Sequence, residues 1–306
     1  MSIGEGSPEH AHRPLVSVGI PTFNRPEGLR RTLCQILAQT HRNLEVIVSD
    51  NASTNPEVEL VGMEFAAKDG RVRYIRQPAN IGAMPNFKYV LQSATGDYFM
   101  WAADDDEWSP LFIEKCLSAS AQGETVACKF DTLFRVADRR ESNPVPTLNP
   151  ACSALANVKE FLQCMQPSLI YGLHKRASLE YFNKLPTFDF VDCYFVFRQI
   201  LGPGVKTIPD VLYTAGVDAV SYEIKYVDAH AKKFDYAPFY LRTAALMLLT
   251  RSLPLRERLE ALKAFNQTIY GLIRHHENCG DPRPLLVRQV WRFWRRALVP
   301  RWFMSL

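Results

Sequence analysis

The first hundred residues alternate short apolar runs with amphipathic stretches, and few architectures accommodate that rhythm. Leu15 to Ile20 (LVSVGI) is β-branched and apolar, and it breaks at Pro21. Pro26 opens a stretch in which Leu29, Leu33, Ile36 and Leu37 fall on one face at helical spacing. Leu44 to Val48 (LEVIV) reads as a second buried strand, followed by the polar loop Ser49-Asp50-Asn51-Ala52-Ser53-Thr54. A helix is predicted from Glu57 to Lys68, a third strand from Val72 to Ile75, another helix from Met84 to Ser93, and a fourth strand from Asp97 to Trp101. Strand-helix-strand repeats of this length imply parallel strands with crossover helices. The expected class is therefore α/β, a Rossmann-like, mostly parallel central sheet flanked by helices. Ligands of such sheets bind beyond the carboxyl ends of the strands.

The loops at those ends carry the chemistry. Pro21-Thr22-Phe23-Asn24-Arg25 follows the first strand, Asp50 the second, and Asp104-Asp105-Asp106 the fourth. Adjacent carboxylates repel one another, and proton uptake or a cation relieves the repulsion. A strand ending in such a cluster reads as a divalent-metal site holding a phosphorylated ligand. It reads equally as an acidic turn before a helix capped by Ser109 with Pro110 in its first turn. Phe23 is either a stacking platform for a flat base or a packing residue. Asp50 is either an acceptor for a ring N–H or a turn residue. Asn80-Ile81-Gly82 reads as a turn, and Asn86 as a cap or a lining residue.

Composition excludes several classes. Of 306 residues, 47% are hydrophobic and 22% charged, an ordinary globular balance. No apolar run approaches the roughly 18 residues of a membrane span. Residues 1–14 are polar, without a signal-peptide core, and read as a loose tail. Seven cysteines are scattered without a CxxC pair, so neither a disulfide framework nor a zinc site is indicated, and a reducing cytoplasm fits. The net charge is +4, yet Asp281 to Leu306 alone holds six arginines and one acidic residue. The main body is thus nearly neutral, and nucleic acid is not an expected partner.

Four segments together resemble the family 2 glycosyltransferases of the GT-A fold: VSVGIPTFNR (Val16 to Arg25), the block ending in VIVSDNAST at Thr54, NIGAMPNF (Asn80 to Phe87) and ATGDYFMWAADDDEWSP (Ala94 to Pro110). They occur in the family's order and spacing over residues 15–120. Phe188 to Tyr213 is similar to its acceptor-side segment. The resemblance implies a donor half (15–120) and an acceptor half (121–225) of one catalytic domain, with a helical extension over 226–306. It implies a nucleoside-diphosphate sugar bound by Pro21, Phe23, Asp50, Asn86 and Asp104, and Mn²⁺ or Mg²⁺ held by Asp105. It further implies Asp192 as the base that deprotonates an acceptor hydroxyl, giving inversion, with Asp189 a nearby competitor. Two positions depart from the pattern: Ala103 stands where the family's first aspartate is familiar, and Val191 where a Glu usually precedes the base.

The expected function is an inverting sugar transfer to a glycan or lipid-linked acceptor, in bacterial surface polysaccharide synthesis on the cytoplasmic side of the membrane. The two departures keep open a nucleotide-sugar-binding protein that has lost transfer. A nucleotidyltransferase is disfavoured, because Pro21-Thr22-Phe23 stands where a glycine-rich phosphate loop would follow the first strand. Beyond residue 225 the pattern is helical. Leu255 to His275 carries Leu259, Leu262, Ile269, Leu272 and Ile273 at helical spacing, and the adjacent His275 and His276 do not share a face. Near the C-terminus Val287, Trp291, Trp294 and Leu298 form a stripe flanked by Arg288, Arg292, Arg295 and Arg296. That pattern fits either an anionic membrane surface or packing on the catalytic domain.

Overall fold

The computed structural model describes residues 13–217 and 236–278. Most of the 1–14 tail and the whole Val287–Leu298 stripe lie outside them.

The expected βα alternation is present. Strand β1 (Val16–Thr22) leads through helix α1 (Pro26–Leu37) to β2 (Leu44–Asp50), then α2 (Pro56–Lys68), β3 (Val72–Arg76), α3 (Ala83–Gln92) and β4 (Tyr98–Trp101). Pro26 starts α1 because its fixed φ suits the first helical position, where its missing N–H costs nothing. Asn55 caps α2 by accepting from the Glu57 N–H at 3.0 Å. In α1 the buried face is Leu29, Thr32, Leu33 and Ile36, with Leu37 only partly covered.

Strand β1 lies at the centre of the first sheet, parallel to β2 on one side and to β4 on the other, and all seven of its residues are buried. The order is β3-β2-β1-β4 followed by an antiparallel two-residue strand β8 (His174–Lys175). A second sheet follows from β5 (Glu107–Trp108), β6 (Thr125–Phe134), β7 (Arg139–Ser142) and β9 (Val205–Val217), in the order β5-β9-β6-β7. Its long parallel pair β6–β9 slips register around Cys128 to Phe130.

Glu107 and Trp108 correct one expectation. They pair with Thr214 and Tyr213, which keeps the chain extended after the aspartates. Helix α4 (Phe112–Ala119) therefore starts beyond Pro110, with Leu111 at its N-cap. The Ser109 hydroxyl accepts a long 3.3 Å bond from the Leu111 N–H, and its carbonyl accepts from the Phe112 N–H at 3.0 Å.

The core has two parts. One is built from Val16, Val18 and Ile20 of β1 against Leu29, Leu33 and Ile36 of α1. The other gathers around Trp101, whose ring meets Phe99 at 4.8 Å, Phe182 at 5.0 Å and Phe195 at 5.8 Å. Its indole N–H donates to the Phe87 carbonyl at 3.0 Å.

The remaining α-helices among the described residues are α5 (Ala154–Leu162), α6 (Val191–Ile200), α7 (Tyr236–Leu249) and α8 (Leu255–Asn278). An aromatic chain ties them to this second core: Phe161 to Phe197 at 4.9 Å, Phe197 to Phe265 at 5.6 Å, and Phe265 to Phe239 at 5.7 Å. The buried stripe of α8 is Ala261, Phe265 and Ile269, while Leu259 and Leu262 are only partly covered. Lys159 of α5 and Glu260 of α8 add an ion pair at the surface.

Because Phe265 is fully buried among aromatic rings from α6 and α7, Phe265→Ala should cost about 3–5 kcal/mol. Urea unfolding should show one cooperative transition at a lower midpoint. A separate early transition with an unmoved main one would mean that α8 is not part of the same folding unit.

Candidate active site

The carboxyl ends of β1, β2 and β4 meet at one edge of the first sheet. Asp50 ends β2 fully buried, and each of its oxygens is engaged. Oδ2 accepts from the Tyr74 hydroxyl at 2.8 Å and from Arg76 Nη1 at 2.9 Å, and Oδ1 from the Ser53 N–H at 2.9 Å. Burial and the Asp50 charge together push the Tyr74 phenol well above its usual range. Pro21 is buried inside β1, whereas Phe23 emerges from the strand end at 40% exposure, free to offer its ring. Asn86 is buried below this edge. Its amide donates to the Ser49 carbonyl at 2.9 Å and accepts from the Ser49 hydroxyl at 2.6 Å, so it braces α3 against β2.

The aspartate triplet separates into three environments. Asp104 turns inward and is buried, accepting from the Thr22 hydroxyl at 2.7 Å and from Arg25 Nη1 at 2.9 Å. Loss of hydration raises its pKa to about 6, against the pull of Arg25 and with a push from Asp105. Asp105 faces outward, its side chain 29% exposed, and the same Arg25 nitrogen reaches its Oδ2 at 2.6 Å. Asp106 turns inward again toward the second sheet, where the Gly216 N–H donates to it at 3.0 Å and the Tyr213 hydroxyl also binds it. Burial first, and then Asp105, drive its pKa well upward.

Backbone contacts hold this loop rigidly. Thr32 Oγ1 donates to the Ala103 carbonyl at 3.2 Å, and Arg135 Nη2 to the Asp105 carbonyl at 2.8 Å. Gly28 and Gly216 make the close approach possible. A Cβ on Gly28 would lie 2.0 Å from the Asp104 carbonyl oxygen, and one on Gly216 would lie 1.8 Å from that of Asp105.

Asp192 stands in the first turn of α6, after Phe190, which enters the helix at φ 63°. Its Oδ1 accepts from the Cys193 N–H at 2.8 Å, and burial raises its pKa. A carboxylate kept from full hydration in this way is better matched to proton uptake near neutral pH. Tyr171 connects the two regions. Its phenol is raised by burial and then by Asp106, Asp105, Asp192 and Asp104, so all four carboxylates lie within electrostatic reach of one hydroxyl. Its ring lies 5.8 Å from Tyr213 and 6.4 Å from Trp108.

The fold thus gathers Pro21, Phe23, Asp50, Asp104 and Asp105 along one edge, with Asn86 underneath and Asp192 approaching from α6. Sequence reasoning assigned no role to Thr22, Arg25, Arg135 or Tyr171. Thr22 and Arg25 stood inside the quoted PTFNR segment, but their partners lie 82 and 79 residues away. Nothing in the sequence singled out Tyr171.

Residues 17–181 match the family model described as "Glycosyl transferase family 2", slightly more than half of the chain. The chain belongs to that family. A protein of Escherichia coli (strain K12), provisionally named as colanic acid biosynthesis glycosyl transferase WcaA, is 35% identical over 99 residues, 32% of this chain and 35% of that protein. The uncharacterized protein Rv1520 of Mycobacterium tuberculosis is 33% identical over 199 residues, 62% of this chain and 55% of its own length. The matches to the first of these curated relatives span from 14 to 55% of their lengths. Among solved structures, S. aureus TarS 1-349 in complex with UDP-GlcNAc superimposes with a TM-score of 0.67 at 16% identity, over 84% of this chain and 72% of that one. Mannosyltransferase PcManGT from Pyrobaculum calidifontis, in complex with GDP-Man and Mn2+, gives a TM-score of 0.51 at 19% identity, over 94% and 85%. The fold is accordingly of the GT-A type.

The donor set is compatible with a divalent cation. Among the described residues no three His, Cys, Asp or Glu side chains form a cage made of protein alone. A Mg²⁺-like ion shared with phosphates needs only one or two carboxylates. Asp105, partly exposed and facing the cationic Arg25, is a carboxylate of the kind such an ion takes.

The raised folded pKa of Asp104 means that the folded state holds this proton more tightly than the unfolded chain does. Its contribution to stability is therefore complete below its ordinary value of 3.8 and is lost as pH rises through about 6. Asp106 acts in the same direction. Denaturant titrations in EDTA should show the wild type losing stability across that window relative to Asp104→Asn. Parallel pH profiles for the two proteins would contradict the assignment.

Proposed function

We propose that this chain transfers a sugar, with inversion, from a nucleoside-diphosphate sugar to a hydroxyl of a glycan or lipid-linked acceptor, in the synthesis of bacterial surface polysaccharide. The observation that carries the reading is the joining of three strand ends: Thr22 of β1 bonded to Asp104 behind β4, beside Asp50 of β2. The family membership and the fold shared with proteins solved with UDP-GlcNAc or GDP-Man support a nucleotide-sugar donor.

In this reading residues 15–120 bind the donor, 121–225 meet the acceptor, and 226–306 form a helical extension. Asp50 anchors the base edge with Phe23 stacked beside it. Pro21 and Asn86 shape the pocket, and Asp104 orients the ribose side through Thr22 and Arg25. Asp105 would hold Mn²⁺ or Mg²⁺, which when bound supplies Lewis-acid neutralisation of the departing diphosphate. Asp192 takes the proton from the acceptor hydroxyl as that oxygen attacks the anomeric carbon from the face opposite the leaving group. The C–O bond to the new acceptor forms while the bond to the diphosphate breaks, so one displacement inverts the centre. Among the described residues no helix is long and apolar enough to cross a membrane. We place the protein on the cytoplasmic side, where the lipid-linked acceptor would be met at the membrane's inner face.

One observation favours the alternative of a nucleotide-sugar-binding protein without transfer: Arg25 already pairs with both Asp104 and Asp105, where a metal would compete with it. Kinetics separate the two. A panel of nucleotide sugars should give a product of inverted configuration, detected by NMR, and EDTA should abolish it. Asp105→Ala should remove turnover and the metal dependence of donor binding. Asp192→Asn should lower kcat by about 10²–10⁴-fold with donor affinity nearly unchanged, since a base acts in the transition state. Asp189→Asn should be milder. Near-normal turnover in the Asp192 variant with collapse in the Asp189 variant would move the base to Asp189. Donor binding with no transfer or hydrolysis for any sugar would leave the binding-protein reading standing.

A further inference from the structure

Between α6 and α7 an open cleft of about 540 Å³ is lined by Tyr194, Arg198, Arg242, Leu246, Leu249 and Arg251, among others, none of them a residue of the carboxylate edge. Small-molecule sites span roughly 300–1,000 Å³, so the cleft has the capacity of a ligand site. Tyr194 and Arg198 are four residues apart on one face of α6, and Asp192 points from a different face, because two residues turn a helix by about 200°.

Three arginines line this cleft, and among the described residues none of them is ion-paired with a carboxylate. Two are held on aromatic faces. Arg198 lies over Tyr181 at 5.1 Å, and Arg242 over Phe188 at 5.4 Å. Stacking fixes the plane of a guanidinium but leaves its N–H donors unspent. The Phe188 ring is itself braced by Tyr194 at 5.7 Å. Gathering like charges around one cavity costs free energy unless an anion completes the set. A fork of planar donors matches phosphate oxygens in geometry as well as in charge. The α7 face that carries Arg242 also gives the cleft an apolar part. Leu246 and Leu249 line it, and Leu249 is 75% exposed, beside the less exposed Leu248 of α7.

We propose that this cleft is a binding site for a phosphate group, separate from the donor edge, with Arg198, Arg242 and Arg251 as its ligands. The phosphate is carried either by a lipid, whose chain would cover Leu246 and Leu249, or by a free phosphorylated molecule. The site stands independently of the catalytic roles argued above.

The test is calorimetry in EDTA, with inorganic pyrophosphate, dihexanoyl phosphatidic acid below its micellar concentration and dihexanoylglycerol as separate titrants. The double variant Arg198→Gln/Arg242→Gln is compared with wild type, with Arg251→Gln as an exposed single change should the double variant melt early. Asp105→Ala serves as a control for binding at the donor edge. Binding of either phosphate compound that weakens at least tenfold in the double variant, or severalfold in Arg251→Gln, and persists in Asp105→Ala supports the site. Tighter binding of the phosphatidic acid assigns a lipid phosphate, and equal or tighter binding of pyrophosphate assigns a free one. The proposal fails if neither phosphate compound binds. It also fails if affinity is unchanged in the arginine variants, if it is lost in Asp105→Ala, or if dihexanoylglycerol binds as well as the phosphatidic acid.

Discussion

A carboxylate buried at the end of a parallel sheet has to be compensated where it stands, and the compensation of Asp104 organises the whole donor edge. An isolated buried charge costs several kcal/mol or neutralises itself. Here the Thr22 hydroxyl and the Arg25 guanidinium share the load, so the last residue of β1 and the residue before α1 are tied to the loop after β4. Gly28 lets the first turn of α1 come against the Asp104 carbonyl, where any side chain would collide. The entry of α1, the end of β1 and the turn after β4 are therefore one mechanical unit. It sets the position of Asp105, which is left half-exposed at its rim.

The second sheet holds the other side of the same loop. Asp106 leaves the turn at Asp104 and Asp105 just ahead of β5 and is met by the Gly216 N–H and Tyr213 of β9. Arg135 holds the Asp105 carbonyl and pairs with Glu107 at 3.0 Å. Three neighbouring residues of one type thus have three environments: a buried acceptor, a solvent-facing carboxylate and a strut to the second sheet. Tyr171 lies within electrostatic reach of both the triplet and Asp192 at the start of α6.

The first sheet was legible because β1, β2 and β4 are short runs of consecutive apolar residues, buried on both faces, with chemistry-bearing loops directly behind them. The second sheet was not. Strand β9 contains Pro209, which reads as a break, and the structure absorbs it in the register slip between the Ile208–Cys128 and Val211–Lys129 pairs. Strand β6 carries Lys129 and Asp131 within its run, so its apolar pattern is interrupted. The two residues of β8 are too few to carry any periodicity. The same limit applies within the site. Asp50, Asp104 and Asp105 announced themselves by residue type and position behind a strand. Arg25 is defined by contacts 79 and 80 residues away, and Tyr171 by the convergence of two halves of the chain. Neither leaves a local pattern.

Stability alone does not account for this arrangement. A buried ion pair contributes little net stability, and apolar residues of similar volume often do as well or better. Asp104 and Asp106 are both buried against desolvation strong enough to raise their pKa values. Asp105 adds a third negative charge that raises both of them further. A loop shaped only for folding would lose little by dispensing with that outward carboxylate, whose ion pair among the described residues is with the half-exposed Arg25. The repulsion within the triplet is relieved by any cation that reaches Asp105, whether guanidinium or metal. The cluster therefore gains most from a ligand that brings positive charge to the rim, and this electrostatic deficit supports the reading of the edge as a site for a metal and a diphosphate.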